Sequence, residues 1–228
     1  MGIFIDTLSI IAGTLIGAVF REHIKIKSFM IFGISIMIIS IVSFFENIFD
    51  ITNIGLKSNE LLLVVFALII GTTIGDVLQV ESKISNIIKS GEHSALIDST
   101  VFFGIGGLQI CGPVLMATTG DNSQLILKGV IDFPFALMFG MSYGGKVALS
   151  AIPVALCQLF ILLISKIFEN FFSAEIIKQL CSMGYIVLFF SGFNLICENK
   201  KKINNTNMII GIFVILLYNI ILNFWRYL

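Results

Sequence analysis

Charge is what this chain has least of. Only 12% of its 228 residues are Asp, Glu, Lys or Arg, against about 25% in a typical soluble domain. Too little polar material remains to cover a water-facing surface, which excludes a soluble globule. The 14 basic and 14 acidic residues balance, so no basic excess exists to bind nucleic acid. Cysteine is sparse as well: Cys111, Cys157, Cys181 and Cys197 stand far apart in apolar stretches without a CxxC pair. The two histidines, His23 and His93, fall in loops remote from any cysteine cluster. That spacing predicts no metal site, no disulfide scaffold and no cofactor. HExxH, a framed serine nucleophile and a phosphate-binding glycine loop before a helix are all missing. The Gly104-x-Gly106 pattern lies inside an apolar run, so it fails the strand-to-helix context of a dinucleotide fingerprint. The chain is therefore not expected to be an enzyme.

What is abundant is apolar sequence, 57% of the chain, with a mean hydropathy of +1.02. A membrane-crossing helix needs about 20 mostly apolar residues. Eight segments meet that requirement, at about 3–20, 29–49, 60–79, 96–119, 125–141, 147–168, 176–197 and 207–225. They leave no room for a soluble domain, so residues 1–228 are expected to form a single integral membrane domain. Its fold class is all-α, a polytopic transmembrane helix bundle of about eight spans, partnered first by the lipid bilayer. The first segment has no Lys or Arg before it, contains Asp6 and lacks an A-x-A cleavage pattern, so it is expected to remain as a helix. Only residues 142–146 separate the fifth and sixth segments, which leaves room for a re-entrant arrangement there. Nine of the 14 basic residues, among them Arg21, Lys25, Lys27, Lys83, Lys89 and Lys146 and Lys200 to Lys202, fall in the odd-numbered loops. The positive-inside rule then puts both termini outside.

Glycine and proline are placed unevenly. Gly13-x-x-x-Gly17 in the first segment recurs as Gly71-x-x-x-Gly75 in the third, each with a threonine after the first glycine. Such faces let helix backbones approach closely where lipid supplies no hydrophobic drive, and they suit a homo-oligomer as well. A weaker similarity aligns Lys27, Gly33 and Ser40 of the second segment with Lys178, Gly184 and Ser191 of the seventh. The two spans would run in opposite directions, the pattern of an inverted internal repeat. The three prolines, Pro113, Pro134 and Pro153, fall in consecutive segments. The fourth is the most interrupted, with Gly106, Gly107, Gly112 and Pro113, and breakage of this kind marks either a packing kink or a solute cavity.

Polar residues at membrane depth complete the pattern. Asp132 lies mid-span with Lys128 one turn earlier on the same helix face. The two form either a structural ion pair that makes insertion tolerable or a proton- or cation-linked carboxylate tuned by its lysine. Gln109, Gln158 and Asn194 are neutral hydrogen-bonding groups at similar depth, suited to helix packing or to the same cavity. Asp6 and Asp98 open the first and fourth segments, where capping or the helix dipole accounts for them. Glu60 and Asp76, at the ends of the third, are expected at the interface.

These residues also carry a resemblance. Ile10-Ile11-Ala12-Gly13-Thr14-Leu15-Ile16-Gly17, Ile70-Gly71-Thr72-Thr73-Ile74-Gly75, Val80-Glu81, Lys128-Gly129-Val130-Ile131-Asp132, Ser150-Ala151-Ile152-Pro153, Gln158 and Gly192-Phe193-Asn194-Leu195 resemble the YqgA/YdfK-like bacterial integral membrane proteins, a family of unknown function. The chain departs from that pattern at Asp6, Asp76 and Gln109. The resemblance implies a multi-pass protein of the bacterial inner membrane and brings no activity with it. The residues themselves lead to a transporter or channel for a small solute or ion. Its site would be Asp132 with Lys128, backbone from Gly106, Gly107, Gly112 and Pro113, and hydrogen bonds from Gln109, Gln158 and Asn194. The alternative is a non-transporting scaffold or regulatory subunit that binds another membrane protein through its glycine faces.

Overall fold

The computed structural model describes residues 1–21, 26–52, 55–57, 60–89, 94–104, 106–197 and 203–226; His23, His93, Lys25 and Lys200 to Lys202 lie outside them. The chain is a multi-pass membrane protein built as an all-α bundle. In order it forms α1 (Gly2–Val19), α2 (Ile26–Ile48), a short hairpin of β1 (Asp50–Thr52) and β2 (Gly55–Lys57), then α3 (Leu61–Val77) and α4 (Val80–Lys89). There follow α5 (Ser94–Gly104), α6 (Leu108–Thr119), α7 (Ser123–Tyr143), α8 (Ala151–Ile167), α9 (Ala174–Ile196), α10 (Asn205–Met208) and α11 (Ile210–Arg226). Among the described residues six stretches, containing α1, α2, α7, α8, α9 and α11, are long and apolar enough to cross a bilayer. The pair α5 and α6, bent by 51°, makes a seventh, and α3 is apolar over 17 residues, slightly short of the same length. Including α3 gives the eight passes read from hydropathy.

Glycine decides which helices touch. A Cβ on Gly17 would lie 2.1 Å from the Leu137 carbonyl oxygen, and one on Gly140 would lie 2.1 Å from that of Thr14. The backbones of α1 and α7 are therefore in direct contact, running parallel, with Gly129 packed on the Asp6 backbone near one end. Gly33 and Gly192 bring α2 and α9 together in the same way, while Gly71 meets Gly211 and Gly75 meets Asn207 where α3 packs antiparallel to α11 and α10. The α2 and α9 segments that align as a weak repeat are thus antiparallel neighbours. Their contact pairs Gly33 with Gly192 and not with the aligned Gly184, which instead packs on Gly107.

The helix directions put the start of α1, the end of α11, the hairpin and the α6–α7 turn at one end of the bundle. Arg21, α4, Lys146 and α10 lie at the other. Two expectations change. The stretch 142–146 runs from the end of α7 through Gly144, at φ 82°, into a 3-10 helix, Gly145–Ser150, that leads into α8, so it joins two full-length spans. The break in the fourth span lies between Gly104 and Leu108, whereas α6 continues as helix through Pro113. A proline near the start of a helix loses few intrahelical bonds, and Pro113 is the sixth residue of α6; the helix gives way at the glycines before it.

A branched side chain at Gly17 would push α1 off α7, at a cost of about 2 kcal/mol or more. Gly104, where no described residue lies within 4 Å of an added Cβ, provides the control. Thermal unfolding in detergent should show Gly17→Val strongly destabilised and Gly104→Ala close to wild type; equal midpoints would contradict the packing described.

Candidate functional site

The close approach of α1 to α7 places a carboxylate where a lysine can reach it. Lys128 Nζ donates to Asp6 Oδ2 at 2.9 Å and also to Asp132 Oδ2, one turn along its own helix. All three residues are buried, at 0% exposure for Asp6, 3% for Lys128 and 7% for Asp132. The cluster continues into α8 and α6: Gln158 Nε2 donates to Asp6 Oδ2 at 2.6 Å and to Gln109 Oε1 at 3.0 Å. Gln109 Nε2 then donates to the Val154 carbonyl at 3.1 Å. Four helices therefore converge on one hydrogen-bonded chain. Two carboxylates against one ammonium leave a formal charge of −1, and Asp6 Oδ1 and Gln158 Oε1 have no donor among the described residues.

Asp6 is thus not a cap. The N-terminus of α1 has no side-chain cap, and the Asp6 carboxylate is engaged by Lys128 and Gln158. Composition could not reveal this, because the partner lies 122 residues away. Asp98 also differs from its expected role: it sits a turn inside α5, half-buried, in the wall of a cavity of about 630 Å³. The cavity is also lined by Lys128, Asp132, Gly106 and Gly107. Its volume is that of a small-molecule site. At the α4 end it reaches the exposed residues Glu81 and Tyr143. Asp132 precedes Tyr143 by eleven positions along α7, a rise of about 16 Å, so the ion cluster lies that far inside.

On the far side of the cluster an apolar side chain fills the bundle. Leu125, three residues before Lys128 and fully buried, fills the space that Gly2 of α1 and Gly112 of α6 leave open. The Gly2 amide donates to Asn122 Oδ1 at 2.9 Å and fixes this end. Of the residues singled out from sequence, Lys128, Asp132, Gln109 and Gln158 come together, and Gly106, Gly107 and Gly112 border the cavity or its seal. Pro113 is buried inside α6, while Asn194 is elsewhere. Its side chain donates to the Ile203 carbonyl at 2.7 Å and accepts from the Ile203 amide at 2.8 Å, tying the end of α9 to the approach to α10. A separate polar group joins α3, α9 and α11, where Asn219 Nδ2 donates to Gln179 Oε1 at 2.7 Å and Gln179 Nε2 donates to Glu60.

Comparison with known proteins agrees with the membrane reading and supplies no activity. A family model described as "Protein of unknown function (DUF554)" matches residues 1–220. The chain is 25% identical over 212 residues to the "Uncharacterized membrane protein YdfK" of Bacillus subtilis (strain 168), covering 90% of each chain. It is 23% identical over 214 residues to the "Uncharacterized protein YqgA" of Escherichia coli (strain K12), covering 86% of each. No solved structure matches.

The charge balance of the cluster orders the variants. Lys128→Met leaves two facing carboxylates buried without their counter-ion and should cost about 3 to 5 kcal/mol. Asp6→Asn leaves a matched Lys128–Asp132 pair and should cost clearly less. Thermal unfolding of the two purified variants tests the order, and an Asp6→Asn variant as unstable as Lys128→Met would contradict it.

Proposed function

We propose that this chain, which belongs to the DUF554 family of proteins of unknown function, is a proton-linked transporter of a small solute rather than an enzyme or a passive scaffold. One observation carries the reading: a cavity large enough for a small molecule runs from one end of the bundle to a buried, charge-imbalanced ion cluster, beyond which the buried Leu125 fills the space between α1, α6 and α7. A structural ion pair needs neither access to water nor a third charge. Here Asp132 lines the cavity while Asp6 lies behind Lys128, out of contact with water. Intramembrane carboxylates so placed mark ion pathways.

A single proton is the natural counter-charge. Bound to the cluster, it cancels the remaining formal −1. Lys128, bonded to both carboxylates, links the cavity-facing Asp132 to the enclosed Asp6. The bent pair α5 and α6 and the Leu125 seal are the elements that would change for the site to open on the other side. The basic residues Arg21, Lys83 and Lys146 lie at the end where the cavity opens, so the positive-inside rule directs its mouth to the cytoplasm of a bacterial inner membrane.

In sealed liposomes the wild-type protein should give saturable solute uptake that responds to a pH gradient, and Asp132→Asn should abolish the response while keeping its fold. Leu125→Ala should let protons leak without solute. Wild-type silence toward cations, anions, amino acids and small acids, with pH followed inside the vesicles, would overturn the transport reading.

A further inference from the structure

The cavity wall carries more chemistry than a proton requires. We infer that its solute is a small organic ammonium cation, held between Asp132 and Asp98 against the rings of Phe102 and Phe135 and exchanged for a proton. The inference rests on the transport reading of the same cavity and names its substrate class.

Charge is the first argument. Glu81, Asp98 and Asp132 all line the cavity, and the one basic residue beside them among the described residues, Lys128, is committed to Asp132 and Asp6. Asp98 has no partner among the described residues, and Asp132 Oδ1 accepts no hydrogen bond there. Among the described lining residues an anionic solute would meet uncompensated carboxylates and no uncommitted cation. A cationic solute would cancel the formal −1 of the Asp6–Lys128–Asp132 cluster and meet a further carboxylate at Asp98.

The aromatic wall decides which cation. Phe102 of α5 packs on Phe135 of α7 with ring centroids 4.7 Å apart and on Phe139 at 5.3 Å, and Phe139 stacks on Tyr143 at 6.0 Å. Ring faces attract a weakly hydrated ammonium, whereas a small metal ion keeps its water or demands several oxygens. The helix registers place these groups in sequence. On α7, Asp132 precedes Phe135 by three residues toward the mouth. On α5, which runs inward, Asp98 precedes Phe102 by four. Moving inward, a solute therefore meets a carboxylate, an aromatic pair and a second carboxylate.

Exchange follows from the shared carboxylate. When the ammonium pairs with Asp132, the acid proton on that carboxyl leaves to water in the cavity. No bond other than O–H breaks and total charge is conserved. The ionisable groups facing Asp132 are Lys128 and Tyr143 on its own helix, Asp6 on α1, Asp98 on α5 and Glu81 on α4. The cavity-lining side chains of α9, Val187, Leu188 and Ser191, and the cluster's Gln109 on α6 and Gln158 on α8 carry no charge.

The test is calorimetric titration of the full-length protein in detergent with tetramethylammonium and choline. Controls are the neutral isostere 3,3-dimethylbutanol and the anionic trimethylacetate, at about pH 6 and about pH 8. Both ammonium probes should bind, about tenfold more tightly at the higher pH, and neither control should. Phe102→Leu and Asp98→Asn, which disturb no ion pair, should each weaken binding about tenfold, and Asp132→Asn should remove the pH dependence. Preferential binding of trimethylacetate would overturn the inference. So would failure of both ammonium probes to bind protein that carries another solute in liposomes, an outcome that leaves transport standing. Ammonium binding without flux would overturn transport and support the cation site. Neither binding nor flux would overturn both.

Discussion

One ammonium, that of Lys128, holds carboxylates from two helices at a depth where lipid can hydrate none of the three. Each of these groups is costly alone in a membrane, so the bundle must keep them together once it has buried them. Asp132 is easy to hold, being one turn away on the same helix. Asp6 is not, because α1 enters the membrane more than a hundred residues earlier. The cluster therefore specifies tertiary structure: α1 belongs against α7, in parallel, with its first turns level with Lys128. Gln158 and Gln109 extend the demand to α8 and α6 through a chain of amide bonds that ends on the Val154 carbonyl.

Short side chains make that demand strict. An aspartate reaches a lysine on the next helix only if the two backbones are close, and in lipid no hydrophobic force draws helices together. Gly17, Gly129 and Gly140 resolve this by removing the side chains between α1 and α7. The glycines and the ion cluster thus support one another: the first bring the carboxylate within reach, and the second supplies attraction that apolar packing in lipid lacks. The same device at Gly33 with Gly192 and at Gly71 with Gly211 brings α2 to α9 and α3 to α11.

Much of the fold was legible because hydropathy is a local property. Eight apolar segments, the GxxxG faces and the Lys128–Asp132 pair all lie within single helices, where spacing alone conveys geometry. The break between Gly104 and Leu108 was visible as a glycine cluster but was extended too far, to Pro113, since residue type does not say which turn of a weak helix fails. Asp6 and Asp98 were read as helix-end residues because both stand near helix starts, and only tertiary contacts separate a cap from a buried ion or a cavity wall. Asn194 shows the converse. Its type and depth matched Gln109 and Gln158, but its neighbours are the backbone of Ile203 and the loop before α10.

The charge count also constrains the proposed cycle. A cluster with two acids and one base carries a formal −1 when empty, and moving its exposure from one membrane face to the other carries that charge through low dielectric. With a proton bound the cluster is neutral, and with an organic ammonium seated on Asp132 it is neutral again. Both occupied forms can reorient, while the empty form faces the cost of an unpaired intramembrane charge. That difference favours exchange over free release: one cation must arrive before the other is carried away. Lys128 is essential to this logic. Without it the empty cluster would hold two negative charges and one proton would not neutralise it; with a second lysine it would be neutral when empty, and nothing would link solute to proton.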